Sequence, residues 1–182
     1  RDGAVRVFDL ERRELVATRR FPGSFVTAAA FEGDAVLLCT STNGVQLWDA
    51  RLEQRLAGRE DAETIAGLLV DWVIGPNHIA CRRSDGGIRV FDRHDFSELG
   101  TLSTAAEDGT TLTFDPSGRW LAGAGKRGVI SVWNPEIPRA SYDLPLPDWK
   151  IAGLAFTPDG RRLVAGSTWG RVAVLDADTG ET

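Results

Sequence analysis

Few side chains in this sequence have the types and spacing that catalysis or metal binding needs. The two histidines differ in context: His78 opens a strand-like run and His94 lies in a loop. No cysteine or carboxylate recurs near either at ligand spacing, so the expectation is one partly buried and one solvated histidine rather than a metal site. Cys39 and Cys81 fall at equivalent places in successive similar segments, and the next two segments carry Gly123 and Ala165 there. A place filled by Cys, Cys, Gly and Ala is a small-residue packing slot, which implies buried free thiols. Strands in adjacent units stand too far apart for a disulfide, which needs Cα atoms within about 7 Å. Asp176, Asp178 and Gly180 resemble part of a calcium loop, yet the same residues close a polar hairpin through Asx and glycine turn chemistry. There is no Ser-His-Asp or Cys-His grouping and no phosphate-loop glycine pattern. The sequence therefore nominates no catalytic, cofactor-binding or metal-binding residue.

Binding chemistry is better represented. Arg82-Arg83, Lys126-Arg127 and Trp169 occupy successive equivalent turns, and Asp148-Trp149-Lys150 sits in a connection between units. Basic side chains beside tryptophan are favoured anchors for anionic or peptide ligands. Isolated charges on turns are also commonly just solvated. Arg82, Arg83, Lys126, Arg127, Trp149, Lys150 and Trp169 are carried forward as one candidate partner-binding face because of where the repeat places them.

The composition narrows the class. The chain has 182 residues, with 42% hydrophobic and 26% charged residues, which suits a folded soluble domain. A net charge of −5 supplies no basic field for nucleic acid or an anionic membrane. No apolar run approaches the roughly 20 residues of a membrane helix. No signal-peptide pattern is visible and two cysteines are too few for a disulfide framework, so a reducing, cytoplasmic setting is expected. Lys126 and Lys150 are the only lysines among 21 basic residues, a bias of the kind high-GC bacterial coding produces.

The elements that would position these residues come from a repeat. Phe8-Asp9, Trp48-Asp49, Phe91-Asp92, Trp133-Asn134 and Leu175-Asp176 recur, the second members 40, 43, 42 and 42 residues apart. A sustained period near 42 is the mark of a repeat architecture. Before each pair a glycine opens a run of alternating residues, which reads as a strand entered from a tight hairpin. The closing Asp or Asn can accept a hydrogen bond from the backbone two residues on. Upstream, Phe114-Asp115-Pro116-Ser117-Gly118 and Phe156-Thr157-Pro158-Asp159-Gly160 mark a second hairpin. Central strands are expected at 35–40, 78–82, 120–124 and 162–167, and more polar fourth strands at 14–19, 54–56, 98–102 and 139–144. Residues 61–69 are the one loose helical candidate.

Four short antiparallel strands per unit are the cue for a propeller blade. Trp48-Asp49, Trp133-Asn134 and the runs 84–92 and 156–167 resemble the WD40 repeat family along essentially the whole chain. The implied fold is an all-β propeller of four-stranded blades. It has three complete blades at 26–65, 66–108 and 109–150, and partial blades at 1–25 and 151–182. The whole reads as a slice of a larger ring of about seven blades, with the rest of its own propeller packing on both ends. A slice exposes strand edges, so self-association of the segment is expected.

The resemblance also implies a buried hydrogen-bond network of His, Ser/Thr, Asp and Trp, and here it is incomplete. No Gly-His occurs, the turn Asp is kept as Asp2 and Asp85, the Ser/Thr as Thr40 and Ser167, and the Trp as Trp48 and Trp133. Where Phe or Leu replaces Trp the donor is gone, so packing is expected to replace the network. Functionally the resemblance implies a non-catalytic protein-interaction scaffold or sensor within a larger signalling or regulatory protein, with a protein or peptide partner and no cofactor. Residues 172–181 alone also resemble the repeat of quinoprotein-type propellers, which leaves an enzyme or an assembly scaffold of that kind as the alternative.

Overall fold

The structure, a computed structural model, describes residues 3–60, 69–84, 86–102, 111–125, 127–137 and 140–181. All regular structure among them is antiparallel β. The strands are β1 (Ala4–Asp9), β2 (Glu14–Arg20), β3 (Val26–Glu32), β4 (Ala35–Thr40), β5 (Gly44–Asp49), β6 (Arg55–Arg59), β7 (Leu69–Ile74), β8 (His78–Arg83) and β9 (Ile88–Asp92). They continue with β10 (Glu98–Leu102), β11 (Thr111–Phe114), β12 (Leu121–Ala124), β13 (Val129–Trp133), β14 (Ala140–Pro145), β15 (Ile151–Phe156), β16 (Arg162–Ser167) and β17 (Val172–Asp176). They form sheets β1-β2, β3 to β6, β7 to β10, β11 to β14 and β15 to β17, each strand pairing only with its sequence neighbours.

The expected strands differ mainly at their ends. The fourth strand expected at 54–56 runs Arg55–Arg59, because Asp49 Oδ1 accepts the Glu53 and Gln54 amides and holds those residues in the turn. Trp120 precedes β12 rather than opening it, since its amide is taken by Asp115 Oδ1 at 2.7 Å. The loose helical candidate lies outside the described residues except Leu69, which opens β7.

The chain divides into two compact units, Arg1–Trp72 and Val73–Thr182. In the first, Ala17 and Phe21 are buried together with Val36, Leu38, Trp48 and Leu52. In the second, one cluster joins Ala80, Ile88 and Val90 to Leu121 and Trp133, and another joins Ala122, Ile130 and Val132 to Ile151, Leu163 and Leu175. Within each unit, therefore, neighbouring sheets pack face to face.

This packing explains the strand sequences. The second strand of a four-stranded sheet is flanked by strands and covered on both faces. β12 is buried throughout and β4 from Val36 to Thr40, so both read as continuous small or apolar runs. The outermost β6 is largely exposed and reads polar. The small-residue slot is real: Cys39, Cys81 and Ala165 are fully buried and neither cysteine is in a disulfide. A β-carbon on Gly123 would lie 2.9 Å from Leu112 Cδ2 and 3.0 Å from the Trp133 ring, so nothing larger than glycine fits beneath that indole.

The recurring Asp or Asn closes its turn in all five units. Asp9, Asp49, Asp92, Asn134 and Asp176 each present Oδ1 to backbone amides two to five residues on. Hydrogen bonds from the Thr179 and Asp178 amides hold the Asp176 carboxyl below its ordinary value. Three turns carry non-glycine residues in the left-handed region: Arg13, Leu52 and Phe96, at φ 57°, 56° and 60°.

The buried network departs from the one the resemblance implies. Trp48 Nε1 donates to Gln46 Oε1 at 2.9 Å, two residues earlier on the same strand. Thr40 is occupied otherwise, its hydroxyl donating to Gly44 O and accepting from Asn43 N. Corresponding positions hold Arg89, paired with Glu98 and set 5.1 Å from the Phe91 ring, and Ser131, which donates to Asp143. Polar pairing persists in these sheets, but it has moved from the family's positions to the middle of the third strand. Asp2 and Asp85 lie outside the described residues.

Candidate partner-binding face

Antiparallel order puts the turn between the second and third strands at the same end as the connection to the next sheet. Between β12 and β13 this turn runs through Gly125 and Gly128, and after β14 the chain turns through Leu146 to reach β15. The two are bonded. The Leu146 amide donates to Gly128 O at 2.7 Å, and the Trp149 amide donates to Leu146 O at 3.1 Å. Gly128 has φ 75°, and a β-carbon there would strike Leu146 O. The next turn joins in, the Thr168 amide donating to Lys150 O at 2.9 Å.

These bonds carry Arg127, Trp149, Lys150 and Trp169 to one place. They line a pocket of about 340 Å3 together with Asp148. Trp149 is half-buried against the core of the second unit, whereas Trp169 is 67% exposed. The pocket thus has an anchored indole, an exposed indole, two cations and one carboxylate. Asp148 was not nominated from the sequence. It sits at φ 65°, a conformation aspartate tolerates better than most residues, and its place between Pro147 and Trp149 in a connecting loop was the available signal.

The remaining expected residues are elsewhere. Lys126 lies outside the described residues. Arg82 and Arg83 end β8, half-buried, and do not line this pocket. The Arg82 Nε is buried without a hydrogen-bond partner.

The histidines follow expectation in kind. His94 is exposed, while His78 is buried and stacked at 6.4 Å on Phe114. Among the described residues no group of three His, Cys, Asp or Glu side chains is placed to hold a metal ion. At the other strand ends a cavity of about 450 Å3 is lined in part by Gly75, Pro76, Arg93, Phe114, Asp115 and Phe156. Asp115 there accepts from the Ser117 and Trp120 amides, and Arg93 Nη1 donates to Gly75 O at 2.6 Å, so these polar groups hold turns. The last unit, whose residues resemble a quinoprotein repeat, closes with the same Asx-bonded turn as the others. No helix among the described residues is long and apolar enough to cross a membrane.

Consecutive antiparallel strands in four-stranded sheets stacked face to face define a β-propeller. Solved structures agree. A computationally designed protein, Ika8, superposes with a TM-score of 0.76 at 23% identity, covering 99% of this chain and 54% of that one. A chain of the mitotic checkpoint complex superposes with a TM-score of 0.77 at 16% identity, covering 98% of this chain and 56% of that one. Residues 96–134 match the family model of the WD domain, G-beta repeat. Similar curated proteins are periodic tryptophan protein 2 of Saccharomyces cerevisiae (32% identical over 53% of this chain) and the WD repeat-containing protein VIP3 of Arabidopsis thaliana (29% over 52%). A third is the WD repeat-containing protein SL1-17 of Schistosoma mansoni (30% over 40%). These matches make the WD40-repeat β-propeller family the one this chain is similar to. The matches span 11%, 34% and 24% of those three proteins' own lengths. All three are eukaryotic, and the bacterial origin expected from codon-like bias finds no support in them. WD40 repeats in general serve as protein-interaction scaffolds and are generally non-catalytic.

Proposed function

We propose that this chain is the partner-capturing part of a larger signalling or regulatory protein. It acts in the cytoplasm without chemistry of its own. It displays Arg127, Trp149, Lys150 and Trp169 on a rigid stack of sheets, and a protein or peptide segment binds across them. The observation that carries this reading is the pocket formed by those residues, with Trp169 exposed beside two cations. An exposed tryptophan costs solvation and gains most when a partner covers it, and Arg and Trp supply much of the energy of known interfaces. Further strands of the same propeller complete the sheets beyond β1 and β17. Exposed Phe8, Val172 and Val174 on those strands, and the coverage of about half of each solved propeller, support this.

The test is affinity capture with the full-length protein and a variant carrying Arg127→Gln, Lys150→Gln and Trp169→Ala. Trp149 is left in place because it packs on the core. Loss of specific partners from a variant with unchanged circular dichroism is the expected result. Capture that persists in the folded variant overturns the assignment.

A further inference from the structure

The first unit holds a pocket of about 350 Å3 that no expectation from the sequence touched. It is lined by three arginines, Arg19, Arg20 and Arg55, against one carboxylate, Glu60. In a chain of net charge −5 this is a local reversal of sign. Two of the guanidinium groups are held in place. Arg19 lies 3.8 Å over the Trp48 ring and donates through Nη1 to Leu52 O at 2.9 Å. Stacking and one backbone bond fix its plane, and a planar fork held this way is pre-organised for oxygen pairs. Arg55 lies over Gly58, where a β-carbon would come within 2.8 Å of Nη2, so the missing side chain makes room for it. Its Nη1 donates to Glu60 Oε1 at 2.8 Å.

The Arg55–Glu60 pair shows what the pocket accepts. Both side chains are substantially exposed, at 33% and 59%, and solvent screening leaves such a pair only weakly stabilising. A carboxylate or phosphate from another molecule could therefore replace Glu60 like for like at small cost. It would gain the field of Arg19 and Arg20 as well. We propose that this pocket binds the oxyanion-bearing side chain of an acidic partner segment, and that Glu60 is its intramolecular occupant in the free protein. The site is separate from the Trp169 pocket, and its ligand chemistry is fixed by charge rather than by aromatic anchors.

The experiment is fluorescence anisotropy with three labelled peptides of one sequence, carrying Glu, phosphoserine or Gln at the central position, titrated with the full-length protein. The Glu or phosphoserine peptide should bind and the Gln peptide should bind at least about threefold more weakly. The tighter of the two anionic peptides identifies carboxylate or phosphate as the source. Glu60→Gln should tighten binding about two- to fivefold. Arg20→Gln and Arg55→Gln should each weaken it by a similar factor, with unchanged thermal midpoints. These effects should shrink as salt is raised. Equal binding of the Gln peptide, or a Glu60→Gln chain that binds no tighter than the parent, overturns the proposal. A chain carrying Lys150→Gln and Trp169→Ala should bind the peptides normally. Loss of binding there would place the ligand in the other pocket and equally overturn it.

Discussion

Gly128 and Leu146 approach so closely that a β-carbon on the glycine would sit 2.1 Å from the leucine carbonyl oxygen. Their backbones are joined by a 2.7 Å hydrogen bond, and Arg127 immediately precedes the glycine. This contact locks a turn between two strands to the connection that leaves the sheet, and the candidate face is built on that lock. Gly128→Ala should cost about 2–4 kcal/mol, from the positive φ and the forced separation together. Chemical denaturation measures the loss, and an Ala variant as stable as the parent would show that the turn can open freely.

Gln46 and Trp48 form a pair that can be taken apart in two steps. Gln46→Leu leaves the buried Trp48 Nε1 without its acceptor and should cost about 1–3 kcal/mol. In a Trp48→Phe background the same change should cost much less, because phenylalanine has no donor to strand. The double-mutant cycle reports the coupling directly.

Tyr142 is the only tyrosine in the chain, so its ionisation can be followed cleanly by ultraviolet absorbance. Burial, reinforced by the charges of Asp176 and Asp178, raises its pKa from 10.0 to about 12. Its hydroxyl donates to Ala177 O, tying the outer strand of one sheet to the turn that follows β17. The neutral phenol is the folded form. Its contribution to stability is full below about pH 10 and is lost as pH rises through about 12. The native chain should show the phenolate band about two pH units later than the urea-unfolded chain. A native titration at pH 10 would place the ring in solvent.

Acid should act through the turns. The carboxyls of Asp95, Asp159 and Asp176 are all held below the ordinary aspartate value, chiefly by hydrogen bonds from neighbouring turn residues. A depressed carboxylate stabilises the fold above its unfolded pKa and loses that contribution as pH falls through the folded value. The thermal midpoint should therefore decline as pH drops below about 4, and less steeply in Asp176→Asn, which keeps an acceptor without a titrating group. Identical pH profiles for the two chains would remove Asp176 from the account.

The repeat, the strand order and the closing turns were legible because each depends on nearby residues. Alternation marks a strand, Asp at the strand end marks an Asx turn, and glycine before a strand marks a hairpin. The slot shared by Cys39, Cys81, Gly123 and Ala165 was legible from its small members alone. Arg127, Trp149, Lys150 and Trp169 were legible as one face because antiparallel order dictates which turns lie together. The Arg19, Arg20 and Arg55 pocket was not. Those residues lie on the outermost strands of different sheets, where arginine normally means solvation. Leu52 and Phe96 were also missed. Each is a buried side chain on a left-handed turn residue, and sequence patterns give such positions to glycine or asparagine. Gln46 escaped notice because the expected acceptor for Trp48 was Thr40.

Each described strand hydrogen-bonds only to strands adjacent to it in sequence. A hairpin can thus close as soon as its second strand leaves the ribosome, at a loop-closure cost set by a few turn residues. Contact order stays low for an all-β chain, and folding can advance sheet by sheet instead of waiting for the C-terminus. Within the second unit the exposed species during synthesis is then a completed sheet with one bare face, covered when the following sheet is made. Translation rate across residues 111–145 becomes a variable of folding yield, because that stretch supplies the sheet that buries Ala80, Ile88 and Val90.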